Sequence, residues 1–250
     1  MRRFFVSARW LRGDDAIFPA SFARRLLALD LGVGDRVVLL DDYGWAYSVE
    51  LTALAEDGAV ARVVGMTLAG GEPRIKITLY QGLMQPRPFA TLLRKGTELG
   101  LVEFVPLITD RCTIASLGGL KEDRLARWQK VIQQTAEEAG RGRIPRLQPA
   151  MLFDAACDRA SRCGPSFLLW EEAEARLESV LHHQFFSINL FAGPPAGFTA
   201  QEVDRACGYG AIPARLGPME AGMAGLTASR MIFGQQGQFP AQGIGDVSPK

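Results

Sequence analysis

Histidine is almost missing from this chain: the 250 residues hold two, and these are the neighbours His182 and His183. No Ser–His–Asp or Cys–His arrangement can be built on one dipeptide. Adjacent side chains also diverge, so the pair makes a poor metal clamp. Cysteine is sparse as well. Cys112, Cys157, Cys163 and Cys207 show no C-x-x-C spacing, which speaks against structural zinc and suits free thiols in a reducing compartment. No uncharged run approaches a membrane span, and the opening MRRFFVSARW sets three arginines around a very short apolar stretch with no signal-peptide core behind it. A cytoplasmic protein with no membrane partner and no metal is expected. G-x-G-x-x-G and the G-K-[ST] of a P-loop are absent too, as are internal repeats and low-complexity tracts.

What is present is a globular composition, 48% apolar and 22% charged, which excludes a disordered chain. The length admits one large domain or two modest ones. Net charge is only +1, but it is unevenly spread. Residues 1–36 hold seven Arg against four Asp, and residues 111–147 hold eight Lys or Arg against four acids. The stretch from 148 onward has seven basic and ten acidic side chains. Two basic segments on an otherwise acidic body suit a polyanion that touches particular faces, although ordinary solvated surface charge explains the same counts.

The first 70 residues read as mostly β. RVVLLDD, WAYSVELTAL and AVARVVGM are short strands separated by Gly and Asp breaks, with one helix from about Pro19 to Leu29. A small strand-rich barrel is the simplest construction. Ala69-Gly70-Gly71-Glu72-Pro73 is the linker candidate, dividing a 1–70 domain from a 74–250 domain. Beyond it RIKITLY, VEFVPLIT, PSFLLWEE, SINLFAG and AIPARLG read as strands, alternating with helical segments. The longest helix, 121–140, turns Leu125, Trp128, Ile132 and Ala136 inward. Such alternation predicts an α/β domain with a largely parallel sheet.

Two Gly-bearing loops follow strands in that second half. Gly193-Pro194-Pro195-Ala196-Gly197-Phe198 precedes Thr199-Ala200-Gln201-Glu202, which has capping-box form. Leu216-Gly217-Pro218-Met219-Glu220-Ala221-Gly222 follows AIPAR. Loops at strand C-termini are where α/β folds hold ligands, but plain strand–helix connections look the same. Arg141-Gly142-Arg143 lies on a Gly/Pro-bearing loop suited to phosphate contacts, and Arg2, Arg3, Arg24 and Arg25 form an N-terminal counterpart. The acid pairs Glu137/Glu138 and Glu171/Glu172 read as solvent-facing helix charges.

Taken in order, R-R-F-F-V, G-V-G-D (32–35), K-G-T-E-L-G (95–100), V-P-L-I-T-D-R (105–111), R-W-Q-K (127–130), G-R-G-R-I-P (140–145) and F-A-G-P-P-A-G-F-T-A-Q-E-V (191–203) resemble the SPOUT-class ribosomal RNA uridine-N3 methyltransferases along nearly the whole chain. The resemblance implies a PUA-like N-terminal RNA-binding barrel and a C-terminal SPOUT α/β domain of trefoil-knot-type topology. It also implies S-adenosyl-L-methionine as cofactor, small-subunit ribosomal RNA as partner, and a homodimer. Mapped onto this sequence, Gly193, Gly197, Leu216, Gly217 and Glu220 are the expected cofactor contacts. Arg2, Arg3, Arg24, Arg25, Arg141 and Arg143 are the expected RNA contacts, and no catalytic base is assigned. Pro195 and Ala196 stand where the family carries Glu and Gly, and residues expected after Pro218 are missing. Asp30 reverses a family Arg. These departures predict a weakened cofactor pocket, an inactive RNA-binding homologue, or an engineered scaffold that lost the pocket.

Overall fold

The computed structural model describes residues 1–112, 122–181, 184–217 and 223–235. His182, His183 and Glu220 lie outside the described residues. The chain divides into two compact units. Among the described residues, the first takes in 1–72 and 136–144, and the second takes in those of 73–135 and 145–235.

In the first unit a barrel-like sheet has the strand order β1-β4-β5-β6-β3-β2. The strands are β1 (Arg3–Phe5), β2 (Leu11–Arg12), β3 (Asp15–Pro19), β4 (Arg36–Leu40), β5 (Trp45–Ala55) and β6 (Gly58–Leu68). β1 and β4 run parallel, and the other pairs are antiparallel. Alternation explains the register: Val49 and Leu51 turn inward from β5 and Ala59 and Ala61 from β6, all buried. The helix α1 (Ala20–Leu27) adds Phe22, Ala23 and Leu26 to this core. Phe22 packs against Phe4, Trp10 and Phe18 with ring centroids 4.9–5.5 Å apart. Just past the helix Asp30 adopts φ +56°, a left-handed conformation that short polar side chains tolerate.

The loop at 136–144 is held to this unit by buried charge. Glu137 is buried, accepts from the Phe5 N–H at 3.0 Å and pairs with Arg25. It is therefore a structural anchor and not the expected solvent-facing charge. The Arg141 guanidinium meets Glu72 through Nε at 2.9 Å and Nη2 at 2.8 Å. The same Glu72 oxygen also accepts from the Gly142 and Arg143 N–H groups.

The second unit is built on a wholly parallel sheet ordered β10-β8-β7-β12-β11-β13, with β9 beside β8. Its strands are β7 (Lys76–Gly82), β8 (Glu103–Ile108), β9 (Arg146–Leu147), β10 (Met151–Leu152), β11 (Ser166–Leu169), β12 (Ser187–Ala192) and β13 (Ile212–Ala214). Its helices are α2 (Pro86–Leu99), α3 (Glu122–Glu138), α4 (Phe153–Ser161), α5 (Leu177–Val180), α6 (Ala200–Gly208) and α7 (Ala224–Gln235). Parallel strands are covered on both faces, so they read as near-continuous apolar runs: Ser166–Leu169 is buried at every position. The two sheets are separate, and no strand among the described residues joins them across residue 72.

One polar cluster is enclosed here. Arg159 donates to the Tyr80 hydroxyl at 2.6 Å and to Glu103 at 2.8 Å, while the Tyr80 ring stacks on Phe191 at 4.4 Å. Burial pushes the Tyr80 pKa from 10.0 up to about 12, against the lowering effect of Arg159. Burial likewise pushes the Cys157 thiol from 9.0 up to about 12. Both folded-state values exceed the unfolded ones. Stability is therefore fully present below the unfolded pKa and falls as pH rises toward 12, because the unfolded chain releases these protons first. Urea midpoints should be flat to about pH 8 and then decline, and Cys157→Ala should remove the part of the decline between about pH 8 and 9, where Tyr80 is still protonated in both states.

A candidate cofactor cleft at the strand ends

Three strands of the second sheet stop level with one another. Leu169 at the end of β11 pairs with Ala192 at the end of β12 and with Ala214 at the end of β13. Parallel strands share one C-terminal edge, so the three following loops leave the sheet side by side. Between them opens a cleft of about 240 Å³. Trp170, Glu171 and Glu172 line it from the first loop, residues 193–198 from the second, and Leu216 and Gly217 from the third. Ala224 at the start of α7 and Arg111 after β8 complete the wall. Gly193, Gly197, Leu216 and Gly217, separated in sequence, thus meet at one site.

The middle loop is shaped by its own sequence. The Gly197 N–H bonds back to the Pro194 carbonyl at 2.8 Å, so Pro194–Gly197 is a tight turn. Pro195 occupies its second position, where a preset φ is favourable. The left-handed φ of +71° falls on Gly197, and Ala196 has no positive φ. Ala196 therefore carries its Cβ without backbone strain. From outside, the Arg111 guanidinium donates to the Ala196 and Phe198 carbonyls at 2.8 and 3.2 Å. On the far side the Gln81 amide donates to the Gly193 carbonyl at 2.9 Å. The turn runs into α6, where the capping box read in the sequence is formed. The Thr199 side chain accepts from the Glu202 N–H, and Glu202 accepts from the Thr199 N–H at 2.8 Å. Glu202 is fully buried and takes the Asp110 N–H as well, at 2.9 Å, which ties the loop after β8 to this helix start.

The lining suits a ligand with apolar and cationic parts. A Cβ built on Gly197 or on Gly217 meets nothing within 4 Å, so both backbones border open space and can be reached by a ligand. Leu169, Trp170, Phe198 and Ala224 supply apolar wall, and the exposed Glu171 and Glu172 place negative charge at the mouth. These two acids lie in the turn after β11 and not on a helix. Sequence reading passed over them because nothing local shows that β11 ends beside β12 and β13. Glu220, the carboxylate expected near this site, falls outside the described residues.

The expected RNA-binding arginines all fall in the first unit. Arg2, Arg24 and Arg143 are exposed. Arg3 donates to the Gly140 carbonyl at 3.0 Å, and Arg25 is committed to Glu137. Arg141 is a correction: its side chain is 2% exposed and bidentate on Glu72, so it braces the loop and offers no free fork to a phosphate.

A loop-built cleft on the C-terminal edge of a parallel sheet places this chain among α/β proteins that hold a small-molecule ligand at their strand ends. The family is more specific than that. A family model described as RNA methyltransferase domain matches residues 71–220, more than half of the chain, and the chain belongs to this family. Among curated relatives it is similar to ribosomal RNA small subunit methyltransferase E of Bacillus subtilis, 24% identical over 74% of this chain and 75% of that protein. The enzyme of the same name from Mycobacterium tuberculosis is 28% identical over 82% of this chain and 78% of that protein. Among solved structures, ribosomal RNA small subunit methyltransferase E from Neisseria gonorrhoeae bound to S-adenosyl methionine superposes with a TM-score of 0.86 at 25% identity. That match covers 94% of this chain and 98% of the other. A Legionella pneumophila protein with bound SAM shares the fold at 20% identity and a TM-score of 0.80.

Proposed function

We propose that this protein transfers the methyl group of S-adenosylmethionine to N3 of a uridine in small-subunit ribosomal RNA, acting as a homodimer. The observation that carries the reading is the cleft where three level strand ends meet, with the open backbones of Gly197 and Gly217 facing it. The uridine position is supported by the ordered motifs from R-R-F-F-V to F-A-G-P-P-A-G-F, as are a PUA-like first unit and a trefoil knot in the second. S-adenosylmethionine, when bound, supplies an electrophilic methyl on a sulfonium. The chain's part is to bind, orient and exclude water. Glu171 and Glu172 complement positive charge at the cleft mouth, Trp170 and Phe198 provide apolar contact, and Arg111 fixes the loop that carries Gly193 and Gly197. The exposed Arg2, Arg24 and Arg143 are the candidates for backbone phosphates.

Incubation with S-adenosylmethionine and small-subunit ribosomal RNA, followed by nucleoside mass spectrometry, should yield 3-methyluridine. Methylation at another atom would overturn the position alone. Absence of methyl transfer together with no calorimetric binding of S-adenosylmethionine would overturn the enzyme reading and leave an RNA-binding homologue.

A further inference from the structure

Beyond the end of β13, Arg215 forms an isolated parallel bridge with Arg176. The ladder is closed on both sides: the Arg215 N–H donates to the Ala175 carbonyl at 2.9 Å, and the Leu177 N–H donates to the Arg215 carbonyl at 3.0 Å. Directly opposed residues of neighbouring strands send their side chains to the same face, about 4.8 Å apart at the backbone. Both arginine side chains therefore leave the sheet on the same face, and both are exposed. Like charges set opposite each other are destabilising. Among the described residues the one acid within ion-pair reach of either is Glu178. It lies 3.8 Å from Arg176 Nε, and both side chains are largely in solvent.

Arg176, Arg215 and Gly217 line a notch of about 210 Å³ of their own. Gly217 is also a wall residue of the cofactor cleft, so notch and cleft meet at its backbone. Their charges are opposite. The cleft mouth carries Glu171 and Glu172, which favour a cationic ligand and repel an anion, while the notch is bordered by two arginines. We propose that Arg176 and Arg215 form an anion notch that takes one backbone phosphate of the substrate RNA, positioning the strand beside the cleft. The proposal rests on the RNA methyltransferase reading. Two guanidinium forks match the two non-bridging oxygens of a phosphodiester, and such a contact positions the strand without reading its sequence. These are positioning residues; neither touches the reacting atoms.

The test uses a fluorescent single-stranded oligouridylate, with anisotropy titrations across a range of salt. The full-length protein, Arg176→Ala/Arg215→Ala and Arg176→Lys/Arg215→Lys are compared, and S-adenosylmethionine binding is measured on each by calorimetry. One lost phosphate contact on a single strand should flatten the slope of log K against log salt by about 0.7 in the Ala variant. The Lys variant should retain the slope, and S-adenosylmethionine affinity should be the same in all three. An unchanged slope in a folded Ala variant would overturn the notch. A parallel loss of S-adenosylmethionine affinity would also overturn it, assigning the arginines to the cofactor's carboxylate. If the unaltered protein shows no salt-dependent RNA binding, the RNA reading itself fails and the notch with it. RNA binding without cofactor binding would leave the notch standing and remove the enzyme.

Discussion

Replacing Glu72 with Ala is expected to lower the unfolding free energy by about 3–5 kcal/mol, the cost of removing the carboxylate that a buried guanidinium faces. Arg141 is 2% exposed, and Glu72 engages both its Nε and Nη2 while also holding two backbone N–H groups of the same loop. Removing the carboxylate takes that acceptor from all four donors, two of them on the buried Arg141 guanidinium where water has little access. The comparison is Glu50→Ala, which breaks the Arg36–Glu50 pair. Its side chains are 63% and 39% exposed, and such pairs contribute about 0–1 kcal/mol. Urea midpoints of the two variants should separate widely. Equal losses would show that the Arg141 environment is wetter than its burial indicates. Replacing both partners, Glu72→Leu with Arg141→Met, should recover much of the loss, since an apolar pair leaves no charge behind.

Gly82→Ala is expected to weaken S-adenosylmethionine binding more than tenfold, about 1.4 kcal/mol or more. A Cβ on Gly82 would sit 2.3 Å from the Pro194 nitrogen and 2.7 Å from the Gly193 carbonyl carbon. Both are backbone atoms, so the clash cannot be relieved by rotating a side chain. The loop between β12 and α6 must shift, and overpacking of this kind also costs about 1–3 kcal/mol of stability. The control is Gly208→Ala at the end of α6. A Cβ there meets nothing within 4 Å, so this variant should gain about 0.5–1 kcal/mol in helix stability and leave the cleft unchanged. Calorimetry on both variants decides the matter. Wild-type affinity in Gly82→Ala would remove the Gly193–Gly197 turn from the cofactor site.

Several features were legible because their causes are local. The stripe of Trp128, Ile132 and Ala136 is buried along α3, as helical spacing predicts. Thr199 and Glu202 form their capping box, a motif contained within four residues. The change from short antiparallel strands to strand–helix alternation past residue 72 follows from periodicity and punctuation, and it separates the two sheets. The left-handed residue of the turn at the cleft is Gly197, and Ala196 is conformationally ordinary.

What the tertiary structure alone decided is where each charge sits. Arg141 lies in a Gly/Pro-bearing loop that looks solvated, yet it is enclosed by a carboxylate 69 residues earlier in the chain. Glu137 carries the spacing of a surface acid and is buried against Phe5 and Arg25. Glu171 and Glu172 reach the cleft, and Arg176 reaches Arg215, only because β11 pairs with β12 on one side and β13 on the other. Periodicity reports which face of an element is apolar, since that depends on neighbours three or four residues away. The surroundings of a charged side chain depend on strand order and register, which are set by packing between segments far apart in the sequence.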